Sequence, residues 1–421
     1  QLLDRFVAYC KVATTADERS TTLPSSPGQW DLLHLLKADL VSAGVPAGNL
    51  ELTEHGYLIA RIPATPGLEG VPGVALFAHV DTSRDFKGED VQPVLHRNYT
   101  GEPIRFPNDP SLVLDPEEFP TLKQKVGDTV ITASGDTLLG ADDKSAVAIL
   151  VVLAERLIGG ESPAHGPVVL AFGPDEEIGH GMKQLDLDSL GAVVGYTLDA
   201  ETLGEIQMET FSADKATVEI VGRSIHPCCA KGKMVNALHL AASLVAELPR
   251  EGMSPETTEG KQGFIHPYHM EGSAGAARVD LILRDFELVK LDQKRDIVQR
   301  LCDSLQARNP QAQVKCSFHE QYRNMRYWFD QNDPLPVEMA EEAMRRAGVL
   351  PSRSFIRGGT DGAQLTARGL PTPNLFTGWH NAHGPLEWAS LGEMVLSLNT
   401  VEQLLQLYTE QAGPSSAPPP S

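Results

Sequence analysis

Five stretches of the chain carry side chains able to act together on a polar bond. Phe77-Ala-His-Val-Asp-Thr-Ser83 places an imidazole and a carboxylate two residues apart. Leaving a strand, residues so spaced point the same way. His79 can then give one ring nitrogen to a metal ion while Asp81 holds the proton on the other. Taken alone, a histidine closing a strand end is the plainer reading. Leu139-Gly-Ala-Asp-Asp-Lys-Ser145 sets two adjacent acids ahead of a helical run. By itself that is an N-cap acid with a neighbour in the first turn. Beside His79, Asp142 becomes a carboxylate able to bridge two ions. Phe172-Gly-Pro-Asp-Glu-Glu-Ile-Gly-His-Gly181 puts three consecutive acids behind an apolar run. Crowded carboxylates resist ionising together unless a cation is at hand. Glu177 suits a ligand, Glu176 a proton shuttle, and His180 an exposed histidine. Gly195-Tyr-Thr-Leu-Asp-Ala200 offers Asp199 at another strand end, and Asn381-Ala-His-Gly-Pro385 offers His383. His380 competes with His383, and spacing does not choose between them.

Two imidazoles and three acids form a mixed nitrogen–oxygen donor set. Such a set suits zinc, with cobalt or manganese as substitutes. Two ions sharing Asp142 would lie roughly 3.5 Å apart and activate a water between them. Zinc can bring a bound water's pKa to about 7. Glu176 could take that proton and pass it to a leaving amine.

These residues need a scaffold that gathers strand ends. Residues 2–12 and 28–43 read as helices, the second with Trp30, Leu33, Leu36, Leu40 and Val41 near a 3.6-residue period and Gly44 as its stop. Strands are expected over 56–62, 73–78, 167–173 and 193–198. The last three are near-continuous apolar runs, as in strands buried on both faces. A helix over 145–157 lies between them, so the fold class is α/β with a layered sheet. In such sheets sites form at the strand carboxyl ends. Residues 84–137, rich in Pro, Gly and Asp, predict a surface excursion with a small hairpin. Beyond about residue 208 the pattern restarts: strands at 216–222, 278–285 and 314–318 alternate with helices at 236–247 and 292–308. Further helices are expected over 334–348 and 391–409. The tail GPSSAPPPS cannot bury anything and is expected to be disordered.

The chain has 421 residues, 41% apolar and 22% charged, which favours two domains over one core. Acids outnumber bases 56 to 35, a formal charge of −21. That surface repels nucleic acid and anionic membrane. Five cysteines without a CxxC spacing are expected to be reduced thiols in a cytoplasmic protein. The first residues show no charged-then-apolar leader pattern, and no run of 18 apolar residues spans a membrane.

HVDTS, TLLGADDKS, PDEEIGHG, YTLDA, IHPCCAKGKMVNA, LRDF, RGGTDGAQL and NLFTG…NAHG occur in this order. Together they resemble the peptidase T family of tripeptide aminopeptidases, in the dinuclear zinc exopeptidase superfamily that includes aminoacylases and carboxypeptidase G. The resemblance runs from about Arg5 to Gln411. It implies a zinc-exopeptidase catalytic domain, a mixed sheet between helices, from residues 1–209 and 321–411. An α+β lid or dimerisation domain over 210–320 is inserted in it, and 412–421 form the tail. It implies two Zn2+ per subunit, one held by His79, Asp142 and Asp199, the other by Asp142, Glu177 and His383. Glu176 matches the general base and Asp81 the residue that orients His79. The Asp142–Asp143 bond matches a position that is cis in the superfamily. His226 resembles an oxyanion-stabilising histidine, in some relatives supplied by the partner of a homodimer. Arg284 resembles the arginine that grips the peptide carboxylate, and Asn236 and Asp361 match parts of the substrate pocket. Read locally, Arg284–Asp285 is equally an ion pair and GGTDG a tight turn.

Two positions depart from the family. Ala200-Glu201 stand where the family has Gly-Gly, and Cys228-Cys229 where it has a Gly-Thr pair. Both bear on substrate choice and leave every ligand in place. The resemblance therefore implies a cytoplasmic aminopeptidase acting on short peptides. A dipeptidase or N-acyl amino acid deacylase would share the same metal centre. An inactive peptide-binding protein on this scaffold would retain the pocket without turnover.

Overall fold

The structure, a computed structural model, describes residues 1–412. The tail expectation lies outside these residues except at Ala412, which ends the last helix. The chain divides into two compact units. One comprises Gln1–Met208, Trp328–Ser354 and the chain from Thr360 on; the other comprises Glu209–Tyr327 and Phe355–Gly359.

The first unit is built on an eight-stranded mixed sheet. Its strands are β1 (Leu50–Leu52), β2 (Leu58–Ile62), β3 (Val74–His79), β4 (Val168–Gly173), β5 (Val194–Ala200), β6 (Glu205–Thr210), β7 (Ser352–Ile356) and β8 (Asn374–Phe376). They lie in the order β1-β2-β4-β3-β5-β8-β6-β7. β3 is parallel to both β4 and β5, and β8 is parallel to β5. Four neighbouring carboxyl ends therefore open at one rim. Every residue of β3 and of β4 is buried, which explains why neither shows polar alternation. Ile59, Ala75, Phe77, Val169 and Ala171 pack on one face against Met182, Leu185, Leu190, Leu365 and Leu370. The helix Ala141–Gly159, buried along nearly its whole length, lies on the sheet and meets β3 and β5. It begins four residues before the apolar run that predicts it, so the two acids fall inside its first turn.

The excursion over 84–137 is more than surface. It contains the expected hairpin, Ile104–Arg105 with Val113–Leu114. Its strand Val130–Thr132, however, pairs with Trp388–Ser390. Tyr99, Phe106, Leu114, Leu122 and Val130 bury Trp388 in a small core of their own. That core anchors the chain just beyond His383.

In the second unit four antiparallel strands lie in the order Phe264–Gly272, Ala276–Asp285, Ser212–Val221, Gln313–Tyr322. Helices Ala237–Glu247 and Leu288–Arg308 cover one face through Leu240, Leu244, Leu291, Val298 and Leu305. The sequence pattern leaves out Phe264–Gly272. It is an edge strand holding Pro267, and its second half is exposed. An edge tolerates proline and lacks the hydrophobic alternation of a half-buried strand.

Candidate metal centre

His79 is the last residue of β3, and Asp199 is the last but one of β5. Glu176 and Glu177 lie in the turn after β4, while Asp142 and Asp143 open the helix Ala141–Gly159 through a cis bond. His383 sits in the loop after Trp379–His380, at φ 68°. The fold brings these segments together. His79 Nε2 lies 3.0 Å from Asp142 Oδ1 and 3.9 Å from Asp199 Oδ1. His383 Nε2 lies 3.4 Å from Asp142 Oδ2 and 3.0 Å from Glu177 Oε1. Asp142 thus gives one oxygen to each imidazole. Ligand atoms of Asp142, Glu177 and His383 fall within 4.8 Å of one another, as do those of His79, Glu176 and Asp199.

Asp81 does two things. His79 Nδ1 is 3.1 Å from the Asp81 carbonyl and 3.4 Å from its Oδ1, so ring orientation is shared between main chain and side chain. The carboxylate also accepts from the amides of Glu176 at 3.0 Å and Glu177 at 3.1 Å. Asp175, the first of the three consecutive acids, points away from the centre. Ser25 N at 2.7 Å and Gln29 Nε2 at 2.7 Å donate to its carboxylate, and its own backbone is left-handed at φ 57°. The turn carrying Glu176 and Glu177 is pinned from both sides.

The electrostatics show what the cluster asks for. Burial, followed by the charge of Asp199, pushes the Glu176 carboxyl well above its ordinary range. Burial and Asp142 do the same to Asp199. Burial raises Asp361 to about 7. Burial works to lower His79, but hydrogen bonds to Asp142 and Asp81 carry it well above the usual imidazole value. Hydrogen bonds to Asp142 and Glu177 lift His383 to about 11. Buried oxygens of Asp143 and Asp361 lack a hydrogen-bonding partner. Crowded, desolvated acids with spare lone pairs and two converging imidazole nitrogens fit a pair of divalent cations.

Asp361 lines the same small recess as His79, Glu176, Thr197 and Asp199. It follows Thr360, whose hydroxyl caps the helix Asp361–Ala367 by accepting from Gly362 N at 2.9 Å. GGTDG is therefore a helix start. A side chain at Gly181 would meet Asp361 Oδ1 at 2.0 Å, which accounts for the glycine closing PDEEIGHG. The other three expected substrate residues lie in the second unit. Asn236 caps the helix Ala237–Glu247, accepting from Leu238 N at 2.9 Å. Arg284 donates to Gln321 Oε1 at 2.9 Å and lies over the Tyr322 ring. Asp285 pairs instead with Lys294 at 2.5 Å. His226 is exposed, and its Nδ1 lies 3.0 Å from Cys228 Sγ.

Residues 138–407 match peptidase family M20/M25/M40. The chain belongs to that family. Peptidase T of Bacillus licheniformis is 38% identical over 414 residues, 98% of this chain and 99% of that one. Peptidase T of Lysinibacillus sphaericus is 39% identical over the same coverage. Among solved structures, the aminopeptidase PepT of Bacillus cereus superposes with TM-score 0.73 at 20% identity, covering 97% of this chain and 98% of that one. A dinuclear metal-binding peptidase of the family from Bacillus subtilis gives 0.64 at 14%, with the same coverage. Both have the fold described above.

The two late histidines have different surroundings: His383 meets Asp142 and Glu177, and His380 does not. His380 is buried, stacks on Trp388 with ring centroids 4.0 Å apart, and bonds Glu393 at 2.6 Å. Lys125 holds the other Glu393 oxygen. Glu201 accepts from Asn381 N at 3.1 Å and so braces the loop that carries His383. Burial would raise Glu393, but the His380 bond and the charges of His380 and Lys125 pull it below its ordinary value of 4.5. A depressed carboxylate stabilises the fold above its unfolded pKa and loses that effect as pH falls through the folded one. Glu393→Gln should therefore destabilise the metal-free peptidase at neutral pH by about 3–5 kcal/mol. Its denaturation curves should depend less on pH below 4.5. Equal stability at pH 7 would remove the buried pair from its structural role.

Proposed function

We propose that this peptidase removes the N-terminal residue from short peptides, chiefly tripeptides. The observation that carries the proposal is two clusters, His79–Glu176–Asp199 and Asp142–Glu177–His383, with Asp142 reaching both imidazoles. This supports His79, Asp142 and Asp199 as ligands of one ion, Asp142, Glu177 and His383 as ligands of the other, and Glu176 as the base. Two Zn2+ suit these donors, and the imidazoles with buried carboxylates favour zinc over calcium or magnesium. When bound, such ions polarise a carbonyl and acidify a water. Glu176, fixed through its amide by Asp81, takes the water's proton and returns it to the leaving amine. Asp81 keeps His79 in one orientation. Asp361, buried with an unpartnered oxygen in the same recess, is suited to receive the substrate's α-ammonium. Arg284 would grip the peptide carboxylate, His226 would stabilise the oxyanion, and Asn236 would shape the pocket. The unit holding these three would act as a lid and as the surface of a homodimer. Among the described residues no helix is long and apolar enough to cross a membrane. The acidic charge argues against nucleic acid as a partner, and a cytoplasmic setting suits five free cysteines.

One tripeptide, its N-acetyl form and the corresponding dipeptide test the reading. The free tripeptide should be cut quickly at its first bond, the dipeptide poorly, and the acetylated form not at all. Preferred cleavage of the acetylated form would identify a deacylase, and preferred cleavage of the dipeptide a dipeptidase. Two bound ions with no turnover on any of them would leave a peptide-binding protein.

A further inference from the structure

Glu387 stands four residues beyond His383 and is 1% exposed. Its close partners are main-chain donors some 245 residues earlier. One carboxylate oxygen accepts from Leu139 N at 2.7 Å and Gly140 N at 2.8 Å. The other accepts from Asp142 N at 3.1 Å. The helix Ala141–Gly159 starts after Gly140, which is left-handed, and it has no side-chain cap of its own. Asp142 and Asp143 depart from helical geometry inside the first turn, so the helix cannot hold them by its own hydrogen bonds. The amides at a helix start need acceptors, and Glu387 supplies them from the segment that carries the second imidazole. A single side chain therefore contacts the backbone of the shared carboxylate and belongs to the loop of His383.

We propose that Glu387 is a positioning residue for the dinuclear centre, fixing the separation between Asp142 and His383 on which the second cation depends. The inference rests on the metal-site reading above. Both Glu387 oxygens are engaged by main-chain amides. The residue acts through the two ligands whose spacing it sets, and removing such support typically weakens metal binding 10–100-fold. In Glu387→Gln one acceptor oxygen becomes an amide nitrogen that faces amide donors, so part of the cradle is lost at nearly constant size.

The test is a zinc titration of the full metal-free chain against a competing chelator, with circular dichroism on each sample to establish folding. Wild type should take up two ions. Glu387→Gln should bind one of them 10–100-fold more weakly, and activity at limiting zinc should recover when zinc is raised by the same factor with the peptide KM unchanged. Unaltered affinities at both positions, even with a lowered melting temperature, would make Glu387 purely structural and overturn the proposal. If Glu387→Gln does not fold, Glu387→Asp, which keeps the charge but falls one methylene short, is titrated in the same way and read by the same criteria. Fewer than two ions on wild type would instead sink the dinuclear reading itself.

Discussion

Glu176→Gln is expected to lose turnover by about 10²–10⁴-fold, the usual contribution of a positioned acid–base group, while both cations stay bound. The substitution keeps the side chain's size. It also keeps the turn, because Asp81 holds residue 176 through its amide and Asp175 anchors the same turn to Ser25 and Gln29. What disappears is the group that can take a proton. One feature makes the experiment decisive. Glu176 also lies within ligand distance of His79 and Asp199, so it has the geometry of a ligand as well as a base. Metal content and kcat measured on the same preparation separate the roles. Two ions with lost turnover mark the base. One ion lost marks a ligand, and retained turnover removes Glu176 from the chemistry.

Asp142→Ala should strip both cations and all activity. Among the described residues Asp142 is the one carboxylate that reaches both imidazoles, at 3.0 Å and 3.4 Å. Those hydrogen bonds, opposed by burial, hold its carboxyl below its ordinary range. Loss of a direct ligand should exceed the roughly 100-fold cost of losing a supporting residue. A cation that binds only the folded chain at 1,000 times its Kd adds about 4 kcal/mol of stability. In the wild type, zinc should therefore raise the melting temperature, and in Asp142→Ala that rise should vanish. A variant that still melts higher with zinc would show that the ions are held without a shared carboxylate.

Much of this centre is legible in the sequence because its candidate ligands stand at the ends of strands too apolar to be anything but buried. His79, Glu177 and Asp199 each follow such a run, and an acid there has few uses besides a cation. The supporting acids leave no comparable trace. Glu387 and Asp175 bind main-chain amides and nearby polar groups, and a backbone donor is the same whatever residue carries it. Glu393 becomes visible only with Lys125 and His380 beside it, partners 268 and 13 residues away. Spacing leaves His380 and His383 open for the same reason: what separates them is Trp388 and Glu393, and only the family resemblance points to His383 in the sequence. Phe264–Gly272 escaped because edge strands shed the periodicity that betrays inner ones.

The first unit is written in pieces. His79, Asp142, Glu177 and Asp199 precede the second unit in the chain, whereas His383 and Glu387 follow it. During synthesis at about 5–20 residues per second, roughly 10–40 s pass between the appearance of Asp199 and that of His383. Throughout that interval the nascent polypeptide carries a sheet rim rich in acids, with one imidazole and without the histidine that completes the second cluster. A second cation that needs His383 would thus have to wait until the whole second unit has been made.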